Sequence, residues 1–225
     1  MVRPTPRLTT LTLVLAATTT AHAGDWETVA REPDVMVMMR DVPGRNFPTI
    51  RAVAVIDESI YDLLAVLSDV NRYPQWMKRC AEARRLSQRG ELEYVTYSRT
   101  AAPWPVSDRD AVYYARARVQ LKKKLVMVRF KAVKDLRVPP RDGIVRLDKL
   151  QGYYALKILG PNKTQLDYQL DADPGGWIPT WVGKITAKHA VIDTIRALRK
   201  QVKKTRGWYA KRITRWKKIQ DKLSE

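Results

Sequence analysis

From about Ala81 to Ala172 the sequence offers one strand after another, with nothing of helical period between them. The segments run from about Ala81 to Ser87, Leu92 to Thr100, Asp110 to Leu121, Leu125 to Val133, Ile144 to Ile158 and Thr164 to Ala172. Gln88-Arg89-Gly90, Pro139 to Gly143 and Gly160-Pro161-Asn162 supply turn material. Strands joined by short turns pair antiparallel, because a parallel pair needs a crossover of about a dozen residues. The prediction is therefore an α+β fold built on an antiparallel meander rather than on alternating βαβ units. Ala111, Tyr113, Ala115, Ala117 and Val119 share one side of their strand, opposite Arg116, Arg118 and Gln120. Leu166, Tyr168, Leu170 and Ala172 alternate with polar residues in the same way. Small alanines on an inward face either leave space or let a helix pack closely.

The flanks complete the architecture. Asp25 to Arg31 is a lead-in, and Val35 to Arg40 and Thr49 to Ile56 read as strands around the Pro43-Gly44 turn. Ile60, Leu63, Leu64 and Leu67 fall at helix spacing behind Asp57 as N-cap. A second short helix is expected over Val70 to Trp76, capped by Asp69 and disturbed by Pro74. After Pro179 a long helix carries Ile178, Trp181, Val182, Ile185, Ile192, Ile195 and Val202 on one stripe. Such a helix is expected to lie across the apolar face of a curved sheet. Gly207 ends it, and Tyr209, Ile213, Trp216, Ile219 and Leu223 mark a second amphipathic helix.

Residues 1–23 read as a secretory signal: Arg3 and Arg7, a modest apolar stretch, then Ala21-His22-Ala23 as cleavage site. The uninterrupted apolar run Leu13 to Ala17 is far short of the roughly 20 residues of a membrane span. No arginine pair suggests the twin-arginine route, and no nearby cysteine could carry a lipid anchor. Export to the periplasm or beyond is expected. Cys80 is the single cysteine, so no intramolecular disulfide is possible and the fold must rest on its core. Without Arg3 and Arg7 the 42 basic residues become 40, against 23 acidic, leaving +17. From Lys184 to Glu225, 14 Lys and Arg face three acidic residues, or +11. A charge of that sign attracts anionic partners. In an exported protein the expected partner is an anionic membrane surface, not nucleic acid, and a monomer is expected.

Catalysis finds little support in the composition. After Ala23 one histidine, His189, and one cysteine, Cys80, remain. A zinc site usually takes three or four His or Cys ligands, so no metal is expected. There is no phosphate-cradling glycine loop, and no cofactor is expected. His189 lies on the apolar stripe of the long helix, where a buried, hydrogen-bonded histidine is the ordinary reading and a general base the sharper one. Pro103-Trp104-Pro105-Val106-Ser107-Asp108-Arg109-Asp110 is more distinctive: two prolines stiffen a loop with an aromatic tip. Asp108, Arg109 and Asp110 then read as a structural clamp in which the arginine bonds its flanking carboxylates, with direct ligand contact as the alternative.

That octapeptide, followed by an alternating strand, resembles the central signature of the START (StAR-related lipid-transfer) family. Ser68-Asp69 to Trp76 and Asp173-Pro174-Gly175-Gly176-Trp177-Ile178-Pro179-Thr180-Trp181 are similar to further stretches of it. The resemblance runs from Trp26 to Lys204, leaving residues 207–225 as a separate basic helix behind a domain over 24–206. It implies a helix-grip (START/Bet v 1-like) fold around a tunnel that shields one lipid, with the C-terminal helix as lid. Implied cavity residues are Tyr113, Ala115, Ala117, Phe130 and Tyr168 from the sheet, and Trp181, Ile185, His189 and Ile192 from the helix. Trp104, Val106, Trp177 and Ile178 would border the entrance. Steroid carriers of the family place an arginine inside the cavity where this chain has Ala115, and Arg116 points to the other face. Cholesterol is therefore not implied.

Three functions remain open at this point. The leading one is non-enzymatic binding and transfer of a lipid. A polyketide cyclase or aromatase of the same fold superfamily is the enzymatic alternative, opposed by the leader. The third is a basic adaptor for anionic envelope surfaces.

Overall fold

The computed structural model describes residues 24–45, 47–176, 178 and 180–224, without the side chains of residues 180–182 and 219–224. The segment expected to be a secretory signal, Trp177 and the side chain of Trp181 lie outside the described residues. Strands β1 (Glu27–Glu32), β2 (Val35–Arg40) and β3 (Thr49–Ile56) precede helix α1 (Ile60–Ser68) and a 3-10 helix at Val70–Gln75. Then come β4 (Cys80–Arg89), β5 (Glu93–Thr100), β6 (Asp108–Gln120), β7 (Leu125–Ala132), β8 (Ile144–Arg146), β9 (Leu150–Gly160) and β10 (Lys163–Ala172). Helices α2 (Thr180–Lys204) and α3 (Ala210–Ser224) close the chain.

The sheet order is β1-β2-β3-β10-β9-β7-β6-β5-β4, with every neighbouring pair along it antiparallel. Register puts Ala115 beside Tyr94 and Phe130, and Ala117 beside Val128, so these side chains share the inward face. The concave side is filled by Val37, Ala52, Ile56, Leu156 and Leu166 from the sheet. Val191, Ile192, Ile195, Leu198 and Val202 of α2 pack on it, together with Leu63 and Val66 of α1. Each fully buried aliphatic side chain contributes about 1.5–3 kcal/mol, which is how a chain without disulfides holds together.

Three local expectations are corrected. The N-cap of α1 is Ser59, not Asp57: Ser59 Oγ accepts from the Asp62 N–H at 3.2 Å. The expected strand from Ile144 to Ile158 is two strands. β8 pairs parallel with the first residues of β6, and the chain crosses to β9 through Leu147, whose N–H donates to the Asp110 carbonyl at 2.8 Å. Among the described side chains of the α2 stripe, only Ile192, Ile195 and Val202 are buried. Ile185 is 51 % exposed and His189 is exposed, because the first half of α2 leans on the loop before β3, where Gly183 leaves room for the Phe47 ring.

Candidate functional site

Between the sheet, α1 and α3 lies a strongly apolar cavity of about 520 Å³, partly open to solvent. Tyr61, Leu64 and Leu67 of α1 form one wall. Leu92 and Tyr94, Ala117 and Val119, Val126 and Val128, and Ile158 line it from the sheet. Leu121 and Lys124 come from the β6–β7 turn, and Trp216 of α3 and Glu91 complete the lining.

Its position differs from the one expected. Ala117 lines it, but Ala115 is buried at 2 % exposure between the rows of Tyr94 and Phe130. Aromatic rings occupy the middle of the inward face. Tyr113 lies edge-on to Phe130 at 6.0 Å, Phe130 is 5.7 Å from Tyr154, and Tyr154 stacks on Tyr168 at 4.4 Å. Phe130, Tyr168 and Ile192 belong to the core packing, Ala115 is buried beside Tyr94 and Phe130, and Tyr113 lies against Phe130, while Ile185 and His189 are exposed. The signal that could have moved the site was the pairing of a large residue, Phe130, beside the alanine at 115.

Burial pushes the phenol of Tyr168 up to about 12, and it pushes Tyr113 up as well. Both stay protonated near neutral pH and cannot serve as bases. Burial also raises the Cys80 thiol to about 11, away from nucleophile chemistry.

The proline-stiffened loop forms a second feature. Trp104 is 92 % exposed at its tip, and Val106 is half-buried. The clamp beneath it is real but wired differently from expectation. Arg109 bonds neither flanking carboxylate. It donates to the carbonyl of Ser107, to that of Pro174 at 3.3 Å and to that of Gly175 at 3.2 Å. Gly175 and Gly176 hold φ of +57° and +60°, a turn that glycine takes without strain. Arg109 thus ties the Trp104 loop to the segment leading through Ile178 into α2. Asp108 instead accepts from the Ala102 N–H at 3.0 Å and from Arg99 at 2.6 Å, and Asp110 pairs with Arg146. Alternation along the strand puts Asp108 and Asp110 on one face and Arg109 on the other, so the arginine turns away from both flanking carboxylates.

On the outer face of the sheet, Arg116, Arg118, Arg129 and Lys131 surround a groove of about 480 Å³ with Tyr114 and Tyr153. It is basic where the inner cavity is apolar.

Residues 8–206 match the START domain family. The chain belongs to that family. A Pseudomonas aeruginosa protein named only as uncharacterised is 30 % identical over 184 residues, covering 82 % of this chain and 90 % of its own. A STAR-related lipid transfer protein of Xanthomonas axonopodis superposes with a TM-score of 0.72 at 30 % identity, over 79 % of this chain and 98 % of that one. The phosphatidylcholine transfer protein of Bos taurus is 28 % identical over 145 residues, 63 % of this chain and 67 % of that protein. These START relatives agree with the helix-grip fold, and the family match stops at residue 206, ahead of α3.

Proposed function

We propose that this START chain is a non-enzymatic carrier that binds a lipid in its interior and moves it between membranes, in the periplasm or outside the cell, as a monomer. The single observation that carries the reading is the apolar cavity of about 520 Å³ in the grip of the fold. Pockets of about 300–1,000 Å³ are the size that holds a small ligand. Each methylene moved from water into such a wall contributes about 0.8 kcal/mol, so an acyl chain is retained without chemistry. Family membership supports the same reading, and two relatives are named as lipid or phosphatidylcholine transfer proteins. The leader at residues 1–23 supports export, and the excess of Lys and Arg suits donor and acceptor membranes that are anionic.

Native mass spectrometry of protein purified from its own host tests the proposal. A stoichiometric unmodified lipid supports the carrier. A chemically altered product would assign an enzyme, and an empty protein that binds anionic vesicles would assign an adaptor. The adaptor reading has an observation of its own, the outer groove of Arg116, Arg118, Arg129 and Lys131.

A further inference from the structure

The mouth of the cavity is bordered by α3, the helix beyond the family match, through the Trp216 side chain, and no described residue of α2 lines it. This mouth lies far from the Trp104 loop. That loop joins β6 at Asp108, whereas Ala117, Val119 and Gln120 line the cavity at the other end of the strand. From Asp108 to Ala117 an extended strand covers about 30 Å at roughly 3.3 Å per residue.

α3 is held firmly at its root and lightly over the mouth. Arg206 donates to both oxygens of Glu58 at 2.9 and 3.0 Å, and Glu58 is buried. Tyr209 donates to Asp69 at 2.8 Å, and Arg212 to Ser68 at 3.1 Å. Further along, Glu91 receives both Arg215, at 2.6 Å, and Trp216 Nε1, at 3.2 Å. The Arg215 side chain is 57 % exposed, and ion pairs that open to water contribute about 1 kcal/mol or less. Gly207, at φ +86°, supplies a joint between α2 and α3.

The chemistry around this mouth is graded. Leu64, Leu67, Val126 and Ile158 form an apolar interior, with the exposed Leu92 at its rim. Lys124 stands on the lining, with Lys122 and Lys123 exposed beside it, and the exposed Arg215, Lys217 and Lys218 face solvent from α3. Lys217 rests over the Tyr61 ring at 5.3 Å. An apolar hole with a cationic rim is complementary to an acyl chain that ends in an anion.

Taking the cavity to be the lipid site, as above, we propose that the mouth under Trp216 is a port for a single-chain anionic amphiphile, one with a carboxylate or phosphate head. The incoming head replaces Glu91 as the partner of Arg215. The indole then loses its acceptor's orientation and swings out, and the chain takes the space behind it. Trp216 is a plug and Glu91 its latch.

The test uses the full chain with three probes: a fluorescent long-chain carboxylate, an alkyl phosphate and an alcohol of matching chain length. Stopped-flow uptake and equilibrium stoichiometry are read for wild type, Trp216→Ala and Glu91→Gln, with Leu136→Ala as the exposed-residue control. Both anionic probes should enter wild type about tenfold faster than the alcohol, a difference of about 1.4 kcal/mol. Either variant should speed uptake of the carboxylate about fivefold or more at unchanged stoichiometry, and should narrow the gap between carboxylate and alcohol. The conservative Glu91→Gln keeps the test open if Trp216→Ala fails to fold. Equal rates in wild type and both variants, with ligand bound at the same ratio, would overturn the port and leave the lipid site standing. Failure of wild type to bind any of the three single-chain probes would overturn the port, whereas the lipid site itself stands or falls on the lipid that co-purifies.

Discussion

Arg146 lays its guanidinium along the Asp110 carboxylate, Nε donating to one oxygen at 2.6 Å and Nη2 to the other at 3.1 Å. The Asp110 side chain is 1 % exposed and that of Arg146 is 14 % exposed. Arg146 further donates to the carbonyl of Val138 at 3.1 Å, so one residue joins β6, β8 and the loop between β7 and β8. Removing one member of a buried pair strands the other charge, at a cost of about 3–5 kcal/mol. Arg146→Leu is expected to lose that much in urea unfolding. A loss below about 1 kcal/mol would mean that water reaches Asp110 and that the pair behaves as a surface one.

Asp108 gives the loop root a pH dependence. The Ala102 N–H is the largest influence and, with Arg99, outweighs burial to hold its carboxyl below the usual carboxylate range. A depressed folded pKa means stabilisation that is complete above the unfolded value, about 3.9, and is lost as pH falls through the lower folded value. Asp108→Asn should therefore be less stable than wild type at neutral pH and converge with it in strong acid. A stability gap that stays constant across that range would show that the charge of Asp108 contributes nothing.

The sheet was legible in the sequence because alternation is a local signal: Ala111 to Val119 and Leu166 to Ala172 report their faces without reference to anything else. The break between β8 and β9 was not, since it depends on Asp110 drawing Arg146 across from a distant part of the chain. The partners of Arg109 were hidden for a similar reason. Its acceptors are backbone carbonyls at Ser107, Pro174 and Gly175, and a carbonyl carries no residue identity to read. Helical period placed His189 on the apolar stripe of α2. Period says which residues share a face, but not how much of that face the sheet covers, and among the described residues of α2 full burial begins at Val191. Trp216 was visible as part of a stripe, and only tertiary packing shows that it borders a cavity.

Cys80 should be a slow thiol. It is half-buried, and burial raises it to about 11, well above the ordinary value for cysteine. Since the thiolate is the reactive form, alkylation by iodoacetamide at pH 7 should run at least about tenfold slower than for a free thiol near 8.5. Rapid labelling of the folded protein would show a more open pocket around β4 than the structure describes.

Trp104 offers a separation of stability from transfer. With 92 % of its surface exposed it has little packing to lose, so Trp104→Ala should leave Tm within about 1 °C. Tryptophan favours the membrane interface, and the same variant should slow lipid exchange with vesicles while solution binding persists. A marked drop in Tm with normal exchange would place the indole in the core instead.

The two alanines of β6 distinguish empty space from packed space most directly. Ala117 borders the cavity, so a larger side chain there grows into open volume. Ala115 is 2 % exposed beside Tyr94 and Phe130, where added methylenes meet neighbours at once. Overpacking of that kind costs about 1–3 kcal/mol. Ala115→Leu should therefore lower the urea midpoint by a corresponding amount. Ala117→Leu should leave the midpoint unchanged or raise it slightly, because the new side chain gains contacts without displacing any. Ligand capacity should move the other way: Ala117→Leu fills part of the chain's volume and should reduce the lipid bound per protein or shorten the chain accepted. Mass spectrometry of co-purified lipid reads the second quantity, and equilibrium unfolding of delipidated protein reads the first. If Ala117→Leu destabilised as much as Ala115→Leu and left bound lipid unaltered, the cavity at Ala117 would be closed in solution and the lipid would have to lie elsewhere under α2.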